Sequence, residues 1–216
     1  MIKDILVEQQ ARINFYALLS RLIMSETDTE LLQTIDSDEN MLSFFPNYKV
    51  WELRETLTHD KLINEHLNVD YTALFLLHLI PYESFYSRED QMMETGGENP
   101  VQVIYNQYDF RVELDKARVL SSDHLAVELE FMYKLCEAQM KAFQEDDLDG
   151  AAQIAKIEHS FLKEHIIPWA PMFLFNVKSE CNTPFYFDVA DVTLEFILTD
   201  FQALDDFISD GAIYKL

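Results

Sequence analysis

Turn-forming residues are scarce in this chain of 216 residues, which contains only four glycines and six prolines. Folds built from many short strands need frequent turns, and glycine and proline supply most of them. So few breakers leave long segments in which a helix can run without interruption. The sequence therefore predicts an all-α fold, a single globular helical domain of roughly eight to ten helices over residues 1–216.

The positions of the glycines exclude several kinds of site. They occur only at Gly96, Gly97, Gly150 and Gly211, so the chain has neither a phosphate-binding Walker loop nor a GxGxxG dinucleotide turn. The GxSxG and HExxH motifs of hydrolases and metalloproteases are absent too. No histidine follows a glutamate by three residues, the spacing that ferritin-like di-metal helices use. We therefore expect neither a metal centre nor any other cofactor.

Basic residues are also few, since 16 Lys and Arg stand against 39 Asp and Glu and give a formal net charge of −23. This balance argues against binding to nucleic acid or to an anionic membrane surface, because both need clusters of positive charge. Residues 22–48 and 179–214 contain acids and no base. These stretches are either solvated acidic surface or a means of attracting a basic partner.

Long apolar runs and a cysteine framework are missing as well. The most apolar stretch, residues 73–82, is far too short to cross a bilayer. The N-terminal residues mix charged and apolar side chains and lack the continuous apolar core of a signal peptide. The two cysteines, Cys136 and Cys181, belong to no CxxC motif. We expect a soluble, cytoplasmic protein.

The stretch 121–136, SSDHLAVELEFMYKLC, is the most informative in the chain. At 100° per residue its apolar side chains form one very wide arc, which predicts a largely buried helix. Ser121 or Ser122 is the expected N-cap. Asp123 is expected on the opposite, polar face.

Two polar residues, His124 and Glu128, fall within that apolar arc, four positions apart. Residues at this spacing on a helix can touch. They are either a buried pair that satisfies itself and fixes the packing of the helix, or a polar contact at the floor of a binding groove. The pattern leaves both readings open.

Residues 77–98 form the longest candidate loop. A loop of this length in a small domain is unusual and tends to be functional, and it is also a possible hinge for a domain-swapped dimer. Tyr82, Glu83 and Ser84 are either plain loop residues or part of an aromatic patch with an acid. Such a patch suits the capture of a basic, partly apolar peptide.

Three motifs then point to a family. They are YTALF followed by PYESFY in residues 71–86, SDHLAVELEFM in residues 122–132, and FLKEHIIPWAPMF in residues 161–173. In sequence and in order they resemble the motifs of the TorD/DmsD/NarJ family of redox-enzyme maturation chaperones. The resemblance covers about half of the chain, and the middle motif is its most specific part.

The resemblance implies an all-helical, non-enzymatic chaperone in the cytoplasm. It would bind the twin-arginine signal peptide and the apo-form of a molybdenum-cofactor oxidoreductase, and hold the precursor until the cofactor is inserted and export can begin. The residues that match the family's implicated positions are Tyr71, Phe75, Pro81, Tyr82, Glu83, Ser84, Asp123 and His124. The helix pattern adds Glu128. The protein is expected to be a monomer or a domain-swapped dimer.

Other functions fit parts of the pattern. A nucleotide-responsive switch or a small enzyme would use Asp123, His124 and Glu128, although no phosphate-binding loop is present. A structural subunit would remain in the finished enzyme, whereas a chaperone is released. Asp123 and His124 either contact the peptide or only shape the groove.

Overall fold

Twelve helices and no strand make up the part of the chain that the computed structural model describes, residues 2–94, 99–114 and 118–209. The prediction of an all-α fold is confirmed. The number of helices exceeds the predicted eight to ten because the acidic N-terminal region breaks into several single-turn helices, each ended by its own cap.

The first half of the chain contains seven helices. They are α1 (Ile2–Met24), α2 (Thr29–Ser37), α3 (Glu39–Leu42), α4 (Pro46–Lys49), α5 (Glu52–Thr56), α6 (His59–His78) and α7 (Glu83–Ser87). Helix α6 is continuous but irregular, because Ile63–Leu67 and Thr72–His78 are π-helical. The predicted loop 77–98 therefore contains a short helix, α7, of its own.

The second half contains five helices. They are α8 (Pro100–Gln107), α9 (Leu125–Gln144), α10 (Leu148–Phe161, continued as a π-helical turn over Leu162–Ile166), α11 (Ala170–Glu180) and α12 (Pro184–Ser209). Among the described helices none is long and apolar enough to span a membrane. The predicted Gly96-Gly97 turn lies outside the described residues, and the hinge role of the loop remains a prediction.

Helices α1 and α9 pack against each other in antiparallel fashion along the core. The Ser20 hydroxyl donates to the Ala126 carbonyl at 2.7 Å, and the Gln9 side-chain amide donates to the Cys136 carbonyl at 2.8 Å. The two contacts are about ten residues apart on each helix and run in opposite directions. Helix α10 covers a second side of α9, and α12 packs against α10 and α11.

A buried ionic network joins α1 to α12. Arg12 donates to both carboxylate oxygens of Asp200, at 2.6 and 3.0 Å, and to Glu158 at 2.7 Å. The Tyr16 hydroxyl also donates to Asp200, at 2.7 Å. Charges taken out of water are tolerated when each is paired in this way, so the network fixes how the N-terminal helix meets the C-terminal one.

A single carboxylate, Asp70 on α6, positions the start of α12. It accepts hydrogen bonds from the backbone N–H groups of Asn182 and Thr183, at 3.0 and 2.8 Å, and from the Thr183 hydroxyl at 2.7 Å. These donors come just before the first turn of α12, where backbone N–H groups lack helical partners. Asp70 therefore supplies the cap from a different helix.

Candidate binding site

The segment Pro81–Ser84, between α6 and α7, lies antiparallel to the residues that lead into α9. Leu125 N–H donates to the Pro81 carbonyl at 2.9 Å, and Glu83 N–H donates to the Asp123 carbonyl at 3.0 Å. The Asp123 carboxylate also accepts from Ser84 N–H at 2.8 Å. Asp123 precedes the helix, so its side chain is fully buried. The expectation that it lies on the polar face is wrong.

Tyr82 and His124 form the centre of this pairing. They are joined as an isolated antiparallel β-bridge, and their rings meet edge to face with centroids 5.0 Å apart. The Tyr82 hydroxyl accepts from Leu120 N–H at 3.0 Å. The polypeptide on both sides of α9's first turn is therefore held by the segment before α7.

His124, not a serine, caps α9. Its Nδ1 accepts a hydrogen bond from Ala126 N–H at 3.1 Å. Burial lowers the pKa of His124 to about 4, against a smaller opposing effect of Asp123, so the imidazole is neutral near neutral pH. An accepting Nδ1 requires that neutral form. The pairing with Glu128 that the helix pattern suggested is not formed.

The two serines that were the predicted caps have another role. The Ser121 hydroxyl donates to the Glu94 carbonyl at 2.7 Å and accepts from the Asn99 side-chain amide at 2.8 Å. The Ser122 hydroxyl donates to a glutamine of α8 at 2.8 Å. Both therefore tie the approach to α9 to the segments around residues 94 and 99–102.

Three carboxyl groups, Glu83, Asp123 and Glu128, form a buried cluster beneath this pairing, here called the carboxyl cluster. Glu128 is fully buried, and neither of its oxygens has a hydrogen-bond partner among the described residues. Burial raises its pKa well above the ordinary value, and the neighbouring Glu83 and Asp123 raise it further. Glu128 is therefore a neutral acid near neutral pH.

Glu83 has a partner on the far side of the cluster. The Nδ1 atom of His165, in the π-helical turn after α10, lies 3.2 Å from both carboxylate oxygens of Glu83. Burial raises the pKa of Glu83, and His165 acts in the opposite direction. The pair links α7 to the end of α10, across 82 residues of sequence.

Several buried polar atoms around the cluster have no hydrogen-bond partner within the described residues. They are Oδ1 of Asp123, both carboxyl oxygens of Glu128, the hydroxyl of Tyr105 and Nε1 of Trp169. A buried polar atom without a partner costs about 1–3 kcal/mol, and native proteins contain few of them. Five in one neighbourhood mark a place where the fold gives up stability.

A surface cavity opens beside His165. It has a volume of about 590 Å³, including its open mouth, and its lining includes Tyr108, Ile157, Phe161 and Glu164. This volume is in the range of ligand pockets. A larger groove between the end of α8, α9 and α10 shares Tyr108 and Ile157 with it, so the two form one continuous depression.

Exposed apolar side chains flank the paired segment. Leu76 and Leu77 end α6 a few residues before Pro81, and they are 56% and 71% exposed. Leu120, whose N–H bonds to Tyr82, and Met92 are similarly exposed. These four residues are called the apolar rim. Apolar side chains grouped beside a site indicate contact with a partner more than single ones do.

All nine predicted site residues are buried, but they do not form one group. Seven surround the pairing and the carboxyl cluster. Tyr71 and Phe75 lie apart, in the aromatic core: the Tyr71 hydroxyl donates to the Ile23 carbonyl at 3.1 Å, and the Phe75 ring contacts Tyr186 and Phe173. In this structure the nine residues are the walls of the site.

His165, Trp169 and Tyr105 were not among the predicted site residues. The first two belong to the third motif, FLKEHIIPWAPMF, whose regular spacing was consistent with an ordinary core helix. The signal that could have identified them is the presence of a histidine and a tryptophan, four residues apart, within an otherwise apolar motif. Tyr105 gave no signal, because a buried tyrosine is common in cores.

Comparison with known proteins places this region within a family. A family model described as nitrate reductase delta subunit matches residues 47–174, which include all nine predicted residues. Proteins named chaperone protein TorD are similar. Those of Photobacterium profundum and Shewanella pealeana are 26% and 27% identical, over 89% and 91% of this chain and 93% and 90% of theirs.

The TorD protein of Vibrio parahaemolyticus is 27% identical over 62% of each chain. No solved structure gives a significant match.

Proposed function

The chain belongs to the nitrate reductase delta subunit family, and from this premise we propose that it is a cytoplasmic chaperone for a molybdoenzyme precursor. It binds the twin-arginine signal peptide of the precursor and holds the apo-protein until the molybdenum cofactor is inserted, before export. Membership of a chaperone family also means that the chain is not an enzyme. The switch or small enzyme built on Asp123, His124 and Glu128 is not favoured.

The observation that carries this proposal is the combination of the carboxyl cluster with the apolar rim. A twin-arginine signal has a basic end followed by an apolar segment, so its receptor needs acidic groups beside apolar surface. Leu76, Leu77 and Leu120 supply that surface next to the segment that covers Glu83. The net charge of −23 adds long-range attraction for a basic peptide.

We propose a division of roles within the site. The apolar segment of the signal supplies most of the affinity, at roughly 25 cal/mol per Å² of apolar surface removed from water before the cost of ordering the peptide. The arginines supply orientation. Burial of the nine predicted residues favours a role in shaping the site, so Asp123 and His124 hold the wall against which the peptide lies.

Calorimetric titration with a twin-arginine signal peptide from a molybdoenzyme of the same organism tests the proposal. We expect a dissociation constant on the order of micromolar. A peptide in which both arginines are lysines should bind more weakly, because lysine cannot form the bidentate pair with a carboxylate. Higher ionic strength should weaken binding by the arginine peptide.

The matched variants are Leu77→Ser, which removes an exposed apolar group from the rim, and Val50→Ser, which does the same at a site outside it. Val50 is 81% exposed and lies between α4 and α5. Only the first should reduce affinity. Equal binding of the arginine and lysine peptides, or equal effects of the two variants, would contradict the proposal.

A further inference from the structure

Glu128 presents two acceptor oxygens that no described residue uses, at a position with no exposure to solvent. Oδ1 of Asp123 is a third such acceptor in the same cluster. The indole N–H of Trp169, also buried and unpaired, lies close enough to influence the pKa of Glu128 without forming a hydrogen bond to it. Unpaired acceptors gathered in one place suit a group with several N–H donors.

The route to these oxygens passes His165. Its imidazole lines the cavity, and its Nδ1 faces both oxygens of Glu83 at 3.2 Å. A donor placed between the two oxygens of a carboxylate occupies the position that a guanidinium group takes in a bidentate pair. His165 therefore stands where an arginine entering from the cavity would first meet the carboxyl cluster.

We propose that Glu83, Asp123 and Glu128 bind the guanidinium group of an arginine, which enters from the cavity, displaces the His165 imidazole from Glu83 and drives a proton off the cluster. This inference rests on the proposed function, because the arginine belongs to the signal peptide. It adds the atoms that recognise the arginine and a coupling between peptide binding and proton release.

The proton comes from a carboxylic acid. The groups that face the cluster are Glu83 from α7, Asp123 ahead of α9, Tyr105 from α8 and His165 from the end of α10. Burial raises the pKa values of Glu128 and Tyr105 well above their ordinary values, so both hold protons near neutral pH. When the guanidinium arrives, the Glu128 O–H bond breaks, the proton passes to the buffer and the carboxylate pairs with the arginine.

Titration of the full-length protein with the twin-arginine peptide, in two buffers of equal pH and different ionisation enthalpy, measures this proton. We expect release of about one proton per peptide bound near neutral pH, and tighter binding as the pH rises. Glu128→Gln, which mimics the protonated acid, should abolish the release and weaken binding about tenfold. Glu137→Gln removes one charge from the partly exposed face of the same helix and should change neither.

His165→Ala provides a second, independent test. If the arginine replaces the imidazole, this variant should bind the peptide at least as tightly as the wild type, whereas loss of affinity would mean that His165 itself contacts the peptide and would overturn the displacement. Thermal unfolding of each variant confirms that it is folded.

The outcomes separate the two proposals. Peptide binding without proton release, or equal behaviour of Glu128→Gln and Glu137→Gln, overturns this inference and leaves the chaperone function standing. No binding of the peptide to the wild type overturns both.

Discussion

His124 should make the stability of this protein depend on pH in a way that one substitution removes. Its pKa is lowered by burial from 6.5 to about 4. Below pH 6.5 the unfolded chain takes up a proton at this residue and the folded chain does not, so stability falls as the pH drops to about 4. A difference of about 2.5 pH units corresponds to about 3 kcal/mol.

His124→Asn tests this magnitude, because asparagine also caps helices and does not titrate in this range. The variant should be less stable than the wild type near neutral pH, since it loses the ring contact with Tyr82, worth about 0.5–1.5 kcal/mol beyond burial. The stability difference between the two proteins should then shift by about 3 kcal/mol in favour of the variant as the pH falls to about 4.

Urea unfolding followed by circular dichroism, at a series of pH values, measures this difference. Comparing the two proteins at each pH cancels the other titrating groups, including Glu128, whose raised pKa makes stability fall as the pH rises. His124→Ala is the control for the cap and should lie about 1 kcal/mol below the asparagine variant at every pH. A stability difference between wild type and His124→Asn that does not change with pH would refute the reasoning.

Two further predictions concern the core. Asp70→Ala should lower the free energy of unfolding by about 2–3 kcal/mol because it removes the acceptor for the N–H groups of Asn182 and Thr183, while Asp70→Asn should cost less; equal losses in urea unfolding would contradict the capping role. Burial raises the pKa of the Cys181 thiol to about 11 and that of Cys136 well above its usual value, so a thiol-specific reagent should label Cys181 slowly and Cys136 only on unfolding. Rapid labelling of Cys136 in the folded protein would contradict its position in the core.

The helices that pack on one face could be predicted from the sequence, because burial imposes a 3.6-residue period on the apolar residues. Val127, Phe131 and Leu135 of α9 are buried as their spacing indicates, and Ile197 and Leu204 of α12 likewise. The order of the motifs also located the region that the family model covers.

Contacts between distant parts of the chain could not be predicted in this way. Arg12 lies off the predicted stripe of α1, yet it is largely buried because its partners, Glu158 and Asp200, come from helices that periodicity does not relate to it. The cap of α9 was assigned to a serine by propensity, but the serines are used by other segments and His124 takes the position. His165 was overlooked for the same reason, since its partner Glu83 is remote in sequence.

The ionic network between the first and last helices has a consequence for synthesis. Arg12 emerges from the ribosome early, and Asp200, which it pairs with, follows 188 residues later. At roughly 5–20 residues per second this interval is about 10–40 s. During that time α1 has no partner from α12 and the core stays open at one side. The chain therefore closes its own core only when almost all of it has been made, so a nascent, unfinished copy cannot compete with complete ones for a client.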